Sequence, residues 1–400
     1  MNKTNSGYRH ILLGTAVFLM VLSNLNTLFK YIGLLAILLI ALQDISLYGV
    51  KKRSCMEAFV LMFIWMFGFL FQTLGLGQML SAIFYYATLV FVALFGNHII
   101  KCNKDILSII FGYTKGIFIV FFYSFSELQL QLSGVYNSRM RIFGSFIHPN
   151  SQGCSVFVVI VMTVLFFLNG GKVKSKLAGF LLKANLPVMF VLLYLSKSRG
   201  CWVMTAVFLV IVFSRRMETL SRKFKVAIIC IMALIFLIFL WKFISYIVTD
   251  ESYSSRILGF QNLKLNGIRA LFGFGMVDSQ GIDYTILSEG TMEISWVKLM
   301  YKNGIMGILT FLYLIFRNCY ECSVNLKKGS RIVWFALMAA FLANSLVEST
   351  FISIFNDFSI TMWISVSALP YFLNVPKLRK QKKDNYDEDM LNYMLLRNDT

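Results

Sequence analysis

Long apolar runs separated by short polar segments dominate this chain. The runs are about 15–23 residues long, the length that an α-helix needs to cross the hydrocarbon core of a membrane. The pattern predicts twelve transmembrane helices, at residues 11–29, 31–49, 56–73, 78–97, 106–125, 152–169, 178–195, 201–214, 226–248, 296–316, 332–347 and 351–373. The fold class is therefore predicted to be an all-α polytopic membrane protein.

Composition supports this class and gives no sign of a second folded domain. The chain is 58% hydrophobic with a mean hydropathy of +0.70, above the roughly 45–50% apolar content of soluble proteins. It has only 4 Pro and no Gly/Ser-rich linker. Residues 1–376 are predicted to form one integral membrane domain, and residues 377–400 a cytoplasmic tail. The first run lacks a small-residue cleavage site, so it is interpreted as a span and not as a signal peptide.

The distribution of basic residues predicts the orientation. With both termini in the cytoplasm, the inside segments carry 26 of the 38 lysines and arginines and the outside segments carry 8. This excess follows the positive-inside rule. It also accounts for the net charge of +19 without a nucleic-acid partner. Two long loops, at about 126–151 and 249–295, are predicted to lie outside.

The cysteines predict neither a disulfide framework nor a metal site. Cys154, Cys201 and Cys230 lie in or beside apolar runs. Cys319 and Cys322 form a C-x-x-C without a second pair nearby, so no zinc site is predicted. No metal and no cofactor are expected.

The first outside loop ends in a cluster of candidate site residues, in the stretch NSRMRIFGSFIHPNSQG. Arg139 and Arg141 are two residues apart, and His148 precedes a Pro-Asn turn. Gly144 and Gly153 are expected to allow tight backbone turns. The alternative is that the arginines only anchor the loop to lipid headgroups.

Further candidates follow in the other outside segments. Arg199, in SKSRGCW, begins the eighth span, where it could equally be an interfacial anchor beside Trp202. The second long loop contributes Arg256, Glu289 and Glu293. Glu293 could simply favour the dipole of the tenth helix. A G-x-G in RALFGFG lacks the preceding strand and third glycine of a dinucleotide site.

Taken together, these outside residues suggest a lipid-linked phosphorylated substrate. Arginine side chains match the geometry of phosphate oxygens, and a nearby His or carboxylate can accept a proton from an attacking hydroxyl. Such a ligand at the membrane–water boundary is a lipid diphosphate. The residues alone therefore indicate a membrane enzyme acting at its outer face.

Three motifs resemble those of the O-antigen ligase/polymerase superfamily. RIFGSFIHPNSQG is similar to its R-x-x-G-x-F-x-x-P-N-x-x-G stretch, and SKSRGCWV to its S-x-S-R-G-x-W stretch. LFGFG followed by EISWVKLMYKNGIMG resembles its G-x-G, loop and tenth-span pattern. The resemblance covers about residues 130–310, and the first 125 residues match only as generic spans.

The resemblance implies a substrate and a location. Members build surface glycans (O-antigen, capsule or exopolysaccharide) from undecaprenyl-diphosphate-linked oligosaccharides at the outer face of the bacterial inner (plasma) membrane. Polymerases transfer the growing chain to the next lipid-linked unit, so donor and acceptor are both lipid-linked, and a chain-length regulator is a possible partner. Membrane lipids are the remaining expected partners.

The resemblance also implies roles for individual residues. Arg141, Arg199 and Arg256 match family arginines that would hold the donor diphosphate as it leaves, with Arg139 beside them. Glu293 stands where the ligases have a His, and Ile294 where they have an Asn. This departure favours the Wzy-type O-antigen polymerases. Glu293 would then be the base, with His148 or Glu289 as alternatives, and displacement from one face predicts inversion at the anomeric carbon.

Three other functions are compatible with these motifs. A ligase would use the same donor and transfer the glycan to lipid A-core. A transporter or flippase of lipid-linked sugars should carry paired ionisable residues near the midplane on broken helices, whereas Asp44, Lys115, Lys242 and Asp357 form no obvious pair. A non-catalytic assembly subunit would tolerate loss of the loop arginines.

Overall fold

The protein is all-helical over the residues that the structure, a computed structural model, describes. These residues are 3–72, 75–133, 141–173, 175–217, 267–275, 295–346, 348 and 356–373. The helices within them are α1 (Lys3–Leu22), α2 (Thr27–Tyr48), α3 (Lys52–Phe69), α4 (Leu76–Phe95), α5 (Asn103–Phe122), α6 (Phe125–Leu132), α7 (Pro149–Leu168), α8 (Lys176–Ser196), α9 (Arg199–Met217), α10 (Ile268–Phe272), α11 (Ser295–Asn325), α12 (Lys328–Ser345) and α13 (Asp357–Phe372), with a 3₁₀ turn at Gly96–His98.

Eleven of the twelve predicted spans fall wholly or partly on these residues, and each of them overlaps a helix. The ninth, 226–248, lies outside the described residues, and so do the tail 377–400 and most of the loop 249–295. Six helical segments of the described chain are long and apolar enough to cross a membrane: Thr27–Tyr48, Met79–His98, Asn103–Phe122, Pro149–Leu168, Lys176–Ser196 and Ser295–Asn325. Tyr8–Leu22 and Arg199–Ser214 are shorter apolar helices.

One boundary and one additional helix differ from the sequence prediction for local reasons. The first span was predicted to reach residue 29, but α1 ends at Leu22. Asn24 Nδ2 donates to the carbonyl of Val21 at 2.9 Å, and Asn26 caps α2 by accepting from the Leu28 N–H at 2.9 Å. The second difference is α6, whose eight residues are too short to stand out as an apolar run.

Glycines bring α1 into close contact with two neighbours. A Cβ on Gly116 of α5 would lie 2.7 Å from Cβ of Val21, and one on Gly33 of α2 would lie 2.6 Å from the carbonyl oxygen of Ala16. Gly112 meets the backbone of Gly14 in the same way. Small residues of this kind let helix backbones approach closely where lipid supplies no hydrophobic driving force between helices.

The centre of the bundle is formed by α7, which packs against α5, α8, α9 and α13. Phe157 of α7 makes edge-to-face contacts with Phe208 and Phe358, at centroid distances of 6.5 and 6.1 Å. The outer helices, in contrast, expose large apolar side chains, among them Leu35, Phe59, Phe63, Leu177 and Phe180. Such faces suit contact with lipid.

The direction of α5 and α7 defines two ends of the bundle. Asn169, just after α7, donates to Asn103 at the start of α5 at 2.8 Å. At the other end, the loop before α7 packs on Phe121, near the end of α5. We call the first end the basic end, because Arg9, Lys51, Lys101 and Arg317 lie there, and the second the loop end, because it carries residues 141–148 and the starts of α7 and α9.

Candidate functional site

The loop that enters α7, residues 141–148, is held by one buried side chain of α6. Gln131 Oε1 accepts from the N–H groups of Phe143 and Gly144 at 2.8 and 2.9 Å, and its Nε2 donates to the carbonyl of Gly144 at 2.9 Å. The Ser145 N–H donates to the carbonyl of Val120 at 3.2 Å. The loop therefore has a fixed backbone.

Gly144 is required by both conformation and space. Its φ is +57°, in the left-handed region, and a Cβ there would overlap the backbone of Phe121. The predicted tight turn at Gly144 is thus confirmed. The same prediction for Gly153 is wrong, because Gly153 lies within α7.

His148 ends the loop and caps α7. Its ring accepts from the Asn150 N–H at 3.1 Å through Nδ1, and Pro149 occupies the first helical position, where proline is favoured. A neutral imidazole that accepts at Nδ1 carries its proton on Nε2. Partial desolvation lowers the pKa of His148, and the positive charge of Arg141 lowers it further, although part of the residue is exposed. His148 is therefore a neutral hydrogen-bond donor at Nε2.

The turn between α8 and α9 lies directly against α7. Lys197 adopts a left-handed conformation, with φ 47° and ψ 30°, which is unusual for a residue with a side chain. Ser198 is buried and donates to Cys201 Sγ at 3.1 Å. A Cβ on Gly153 would lie 2.8 Å from Cys201 Sγ and 2.9 Å from Ser198 Cβ. Gly153 is thus what allows α7 and α9 to meet.

Two contacts join the loop to this turn. The Ile142 N–H donates to the carbonyl of Leu195 at 3.0 Å, and Cys201 Sγ donates to the carbonyl of Asn150 at 3.7 Å. Three of the predicted site residues are thereby gathered at the loop end: half-buried Arg141, His148, and Arg199, which is exposed as the first residue of α9. They come from two stretches about fifty residues apart in sequence.

Glu348, which the sequence analysis did not single out, joins the same region. Its Oε1 accepts from Asn150 Nδ2 at 2.7 Å, and its backbone carbonyl accepts from Ser295 Oγ at 2.5 Å. It therefore links the starts of α7 and α11 to the end of α12. The one available signal was its position, in the short turn between the last two predicted spans.

Below this surface, the first turns of α7 carry polar side chains. Ser155 Oγ donates to the buried carboxylate of Asp357 at 2.9 Å. Gln152 is fully buried, and neither polar atom of its amide has a hydrogen-bond partner in the structure. Buried amides are almost always hydrogen-bonded, so Gln152 is an unusual polar group in the first turns of α7.

The helix α11 is broken at Gly304. Gly304 has φ +61° and ψ −158° within the helix. The carbonyls of Tyr301 and Lys302 there accept from the N–H groups of Phe274 and Gly275, each at 2.9 Å. The G-x-G stretch after α10 thus supplies donors to carbonyls at the break.

One group of described side chains has metal-ligating atoms close together. Atoms of His10, Cys102 and Asp105 lie within 4.8 Å of one another. Arg9 already binds the Asp105 carboxylate at 3.2 Å, and its charge opposes a cation there. Burial, and then the charge of Asp105, raise the pKa of Cys102, which keeps the thiol protonated and a poor ligand. This group lies at the basic end, away from the loop end.

Four predicted site residues, Arg139, Arg256, Glu289 and Glu293, lie outside the described residues. Comparison with models of known protein families gives no match, and neither does comparison with curated proteins.

Proposed function

We propose that this chain is a membrane glycosyltransferase that polymerises oligosaccharide units carried on undecaprenyl diphosphate. The product would be O-antigen, capsule or exopolysaccharide, and the loop end would face the outside of the bacterial plasma membrane. The observation that carries the proposal is that backbone contacts bring Arg141, His148 and Arg199 to the start of α7, where Asn150 binds Glu348.

The charge at the loop end suits a leaving diphosphate. Arg141 and Arg199 are permanently charged donors, and the neutral His148 adds an Nε2 proton. The start of α7 contributes the positive end of a helix dipole to the same place. Charge that develops on the leaving phosphate oxygen would be stabilised by groups already in position. Arg139 and Arg256 would add to this set, and no metal or cofactor is invoked.

A carboxylate is needed to take the proton from the acceptor. Glu293 remains a candidate, and Glu289 is an alternative to it. The geometry adds Glu348, whose carboxylate is fixed by Asn150 at 2.7 Å. His148 is less suited to this task, because its Nδ1 is occupied by the Asn150 N–H. We therefore assign Glu348 as a base candidate and His148 as a donor to the diphosphate.

The reaction would be a single displacement. The acceptor hydroxyl loses its proton to the carboxylate, and its oxygen forms the new bond to the anomeric carbon. The bond from that carbon to the diphosphate oxygen breaks, and its electron pair leaves with the lipid diphosphate. Attack from the opposite face inverts the anomeric configuration. A product that keeps the donor's configuration would contradict this mechanism.

Two observations bear on the transporter alternative. One helix, α11, is broken, as helices in transporters often are, but carbonyls at the break are bonded to residues 274 and 275. Of the deep ionisable residues, Asp44 pairs with Lys101 at 2.5 Å at the basic end. Neither arrangement resembles an ion site at the midplane. The ligase differs from the polymerase only in acceptor, so an experiment must separate them.

The decisive test compares surface glycans of a deletion strain complemented with the wild-type gene, Arg199→Ala or the control Lys328→Ala. Lys328 is exposed at the start of α12, remote from the proposed site. A polymerase deletion leaves single repeat units on lipid A-core or carrier, and only the control restores long chains. Full-length chains stranded on the carrier would indicate a ligase. Single units retained on the cytoplasmic side would indicate a transporter. Restoration by Arg199→Ala would support an assembly subunit.

A further inference from the structure

A cavity of about 490 Å³ opens at the basic end, between the start of α1, the end of α2 and the start of α5. It is separate from the loop end, which lies at the other end of α5. Its lining combines charged and apolar residues: Arg9, His10, Ile40, Gln43, Asp44, Leu47, Tyr48, Lys101, Cys102, Asn103 and Lys104.

Two of the three lining cations are already neutralised. Arg9 is bound to the buried carboxylate of Asp105 at 3.2 Å and to the carbonyl of Ile99 at 2.7 Å. Lys101 Nζ lies 2.5 Å from Asp44 Oδ1 and 4.0 Å from the ring centre of Tyr48. These contacts fix the polar wall of the cavity and leave it no net charge.

Lys104 is the third cation, and it has no carboxylate partner among the described residues. Its side chain is exposed at the first turn of α5. Exposed Gln43 adds a neutral amide on the same lining. His10 is held by Asp105 through Nδ1 at 2.6 Å, which leaves Nε2 of the ring for another hydrogen bond. Among the described residues, the cavity lining thus offers one cation without a carboxylate partner, an amide and an imidazole nitrogen.

The apolar part of the lining belongs to α2. Ile40 is buried there, whereas Leu47 and Tyr48 are 64% and 55% exposed. These residues lie on α2, which is one of the six candidate membrane spans. An apolar wall beside a single cation matches an amphiphile whose chains lie along α2 and whose head group reaches Lys104.

We propose that this cavity binds the head group of an anionic phospholipid with a phosphodiester and hydroxyl groups, of the phosphatidylglycerol type. The single negative charge of the phosphodiester pairs with Lys104 and with the amide of Gln43. A head-group hydroxyl, which can either donate or accept, forms a hydrogen bond with Nε2 of His10. The acyl chains cover Leu47 and Tyr48. Phosphatidylcholine lacks both the net negative charge and the hydroxyl donors, and is therefore disfavoured.

The test measures lipid binding to the delipidated full-length protein in detergent by native mass spectrometry, with phosphatidylglycerol and phosphatidylcholine of the same acyl chains. The wild type should prefer phosphatidylglycerol. Lys104→Gln should weaken that binding about fivefold, the equivalent of about 1 kcal/mol for one lysine near an anionic lipid. Lys328→Gln, which removes an exposed lysine outside the cavity, should leave the preference unchanged.

Further measurements distinguish binding of a lipid from binding of a small anion, and they exclude misfolding as the cause of a loss. Leu47→Asn should weaken binding of the long-chain lipid, and millimolar inorganic phosphate should not displace it. Equal binding of the two lipids by the wild type, or equal effects of the two lysine variants, would overturn the proposal. Displacement by inorganic phosphate would overturn its lipid part. Unchanged thermal unfolding of Lys104→Gln is expected because the side chain is exposed, so a loss of binding is not a loss of fold.

Discussion

Asn150 and Glu348, 198 residues apart in the chain, are joined by a 2.7 Å hydrogen bond from the amide of the first to the carboxylate of the second. This bond connects the motif at the start of α7 with a turn near the end of the chain. It fixes a carboxylate at the loop end, where Arg141, His148 and Arg199 also lie. In the proposed mechanism this carboxylate is the proton acceptor.

Glu348→Gln is expected to abolish most glycan polymerisation while leaving the protein folded. The glutamine oxygen can still accept from Asn150, but the amide cannot take a proton. General-base catalysis typically contributes about 10²–10⁴-fold, so long chains should fall at least about a hundredfold on a quantitative glycan gel. Glu127→Gln, an exposed carboxylate on α6, is the matched control. If Glu348→Gln makes normal polymer at equal protein level, Glu348 is not the base, and Glu293 and Glu289 remain the candidates.

Gly153→Ala is expected to separate α7 from α9. The added methyl would lie 2.8 Å from Cys201 Sγ, and overpacking of this kind costs about 1–3 kcal/mol. Thermal unfolding in detergent should shift downward, and polymer should decrease because Arg199 moves relative to His148. Gly179→Ala in α8, where a Cβ would meet nothing within 4 Å, should be neutral or stabilising. Equal behaviour of the two alanine variants would contradict the close packing.

Gln131→Leu should release the loop that carries Arg141. The change removes the acceptor for two backbone N–H groups, those of Phe143 and Gly144, and a buried N–H without a partner costs about 1–3 kcal/mol. Limited proteolysis should cut within residues 141–148 faster than in the wild type. Gln129→Leu, at an exposed position of the same helix, controls for added hydrophobicity. If both variants resist the protease alike, the loop is held by other contacts.

The cap made by His148 predicts a dependence of stability on pH. The fold lowers the pKa of His148 from its ordinary value of 6.5, so the unfolded chain binds the proton more readily. The stabilisation is therefore complete above pH 6.5 and is lost as pH falls toward the lowered pKa. His148→Asn keeps a good N-cap that does not titrate. The midpoint of thermal unfolding should drop more steeply below pH 6.5 in the wild type than in the variant. If the midpoint depends on pH in the same way in both proteins, the cap made by His148 does not control this pH dependence.

The helices of the bundle were largely predictable, whereas the site was predictable only in part. The runs that became α2, α5 and α7 are apolar over the length of a membrane helix, and that signal is local. Gly144 was expected in a turn because glycine adopts positive φ. Gly153 was wrongly assigned to a turn, because the need for glycine there comes from the close approach of another helix. Glu348 was missed for a related cause, since its partner is 198 residues away and a single acidic residue in a turn has no pattern.

The contact between α1 and α5 has a consequence for how the chain is made. Arg9 and its partner Asp105 are 96 residues apart, so α1 is synthesised long before the carboxylate that neutralises its arginine. Before α5 is made, Arg9 lacks its partner Asp105, and the face of α1 at Val21 lacks the contact with Gly116. The close contact of Val21 with Gly116 can therefore form only after the fifth helix has been made.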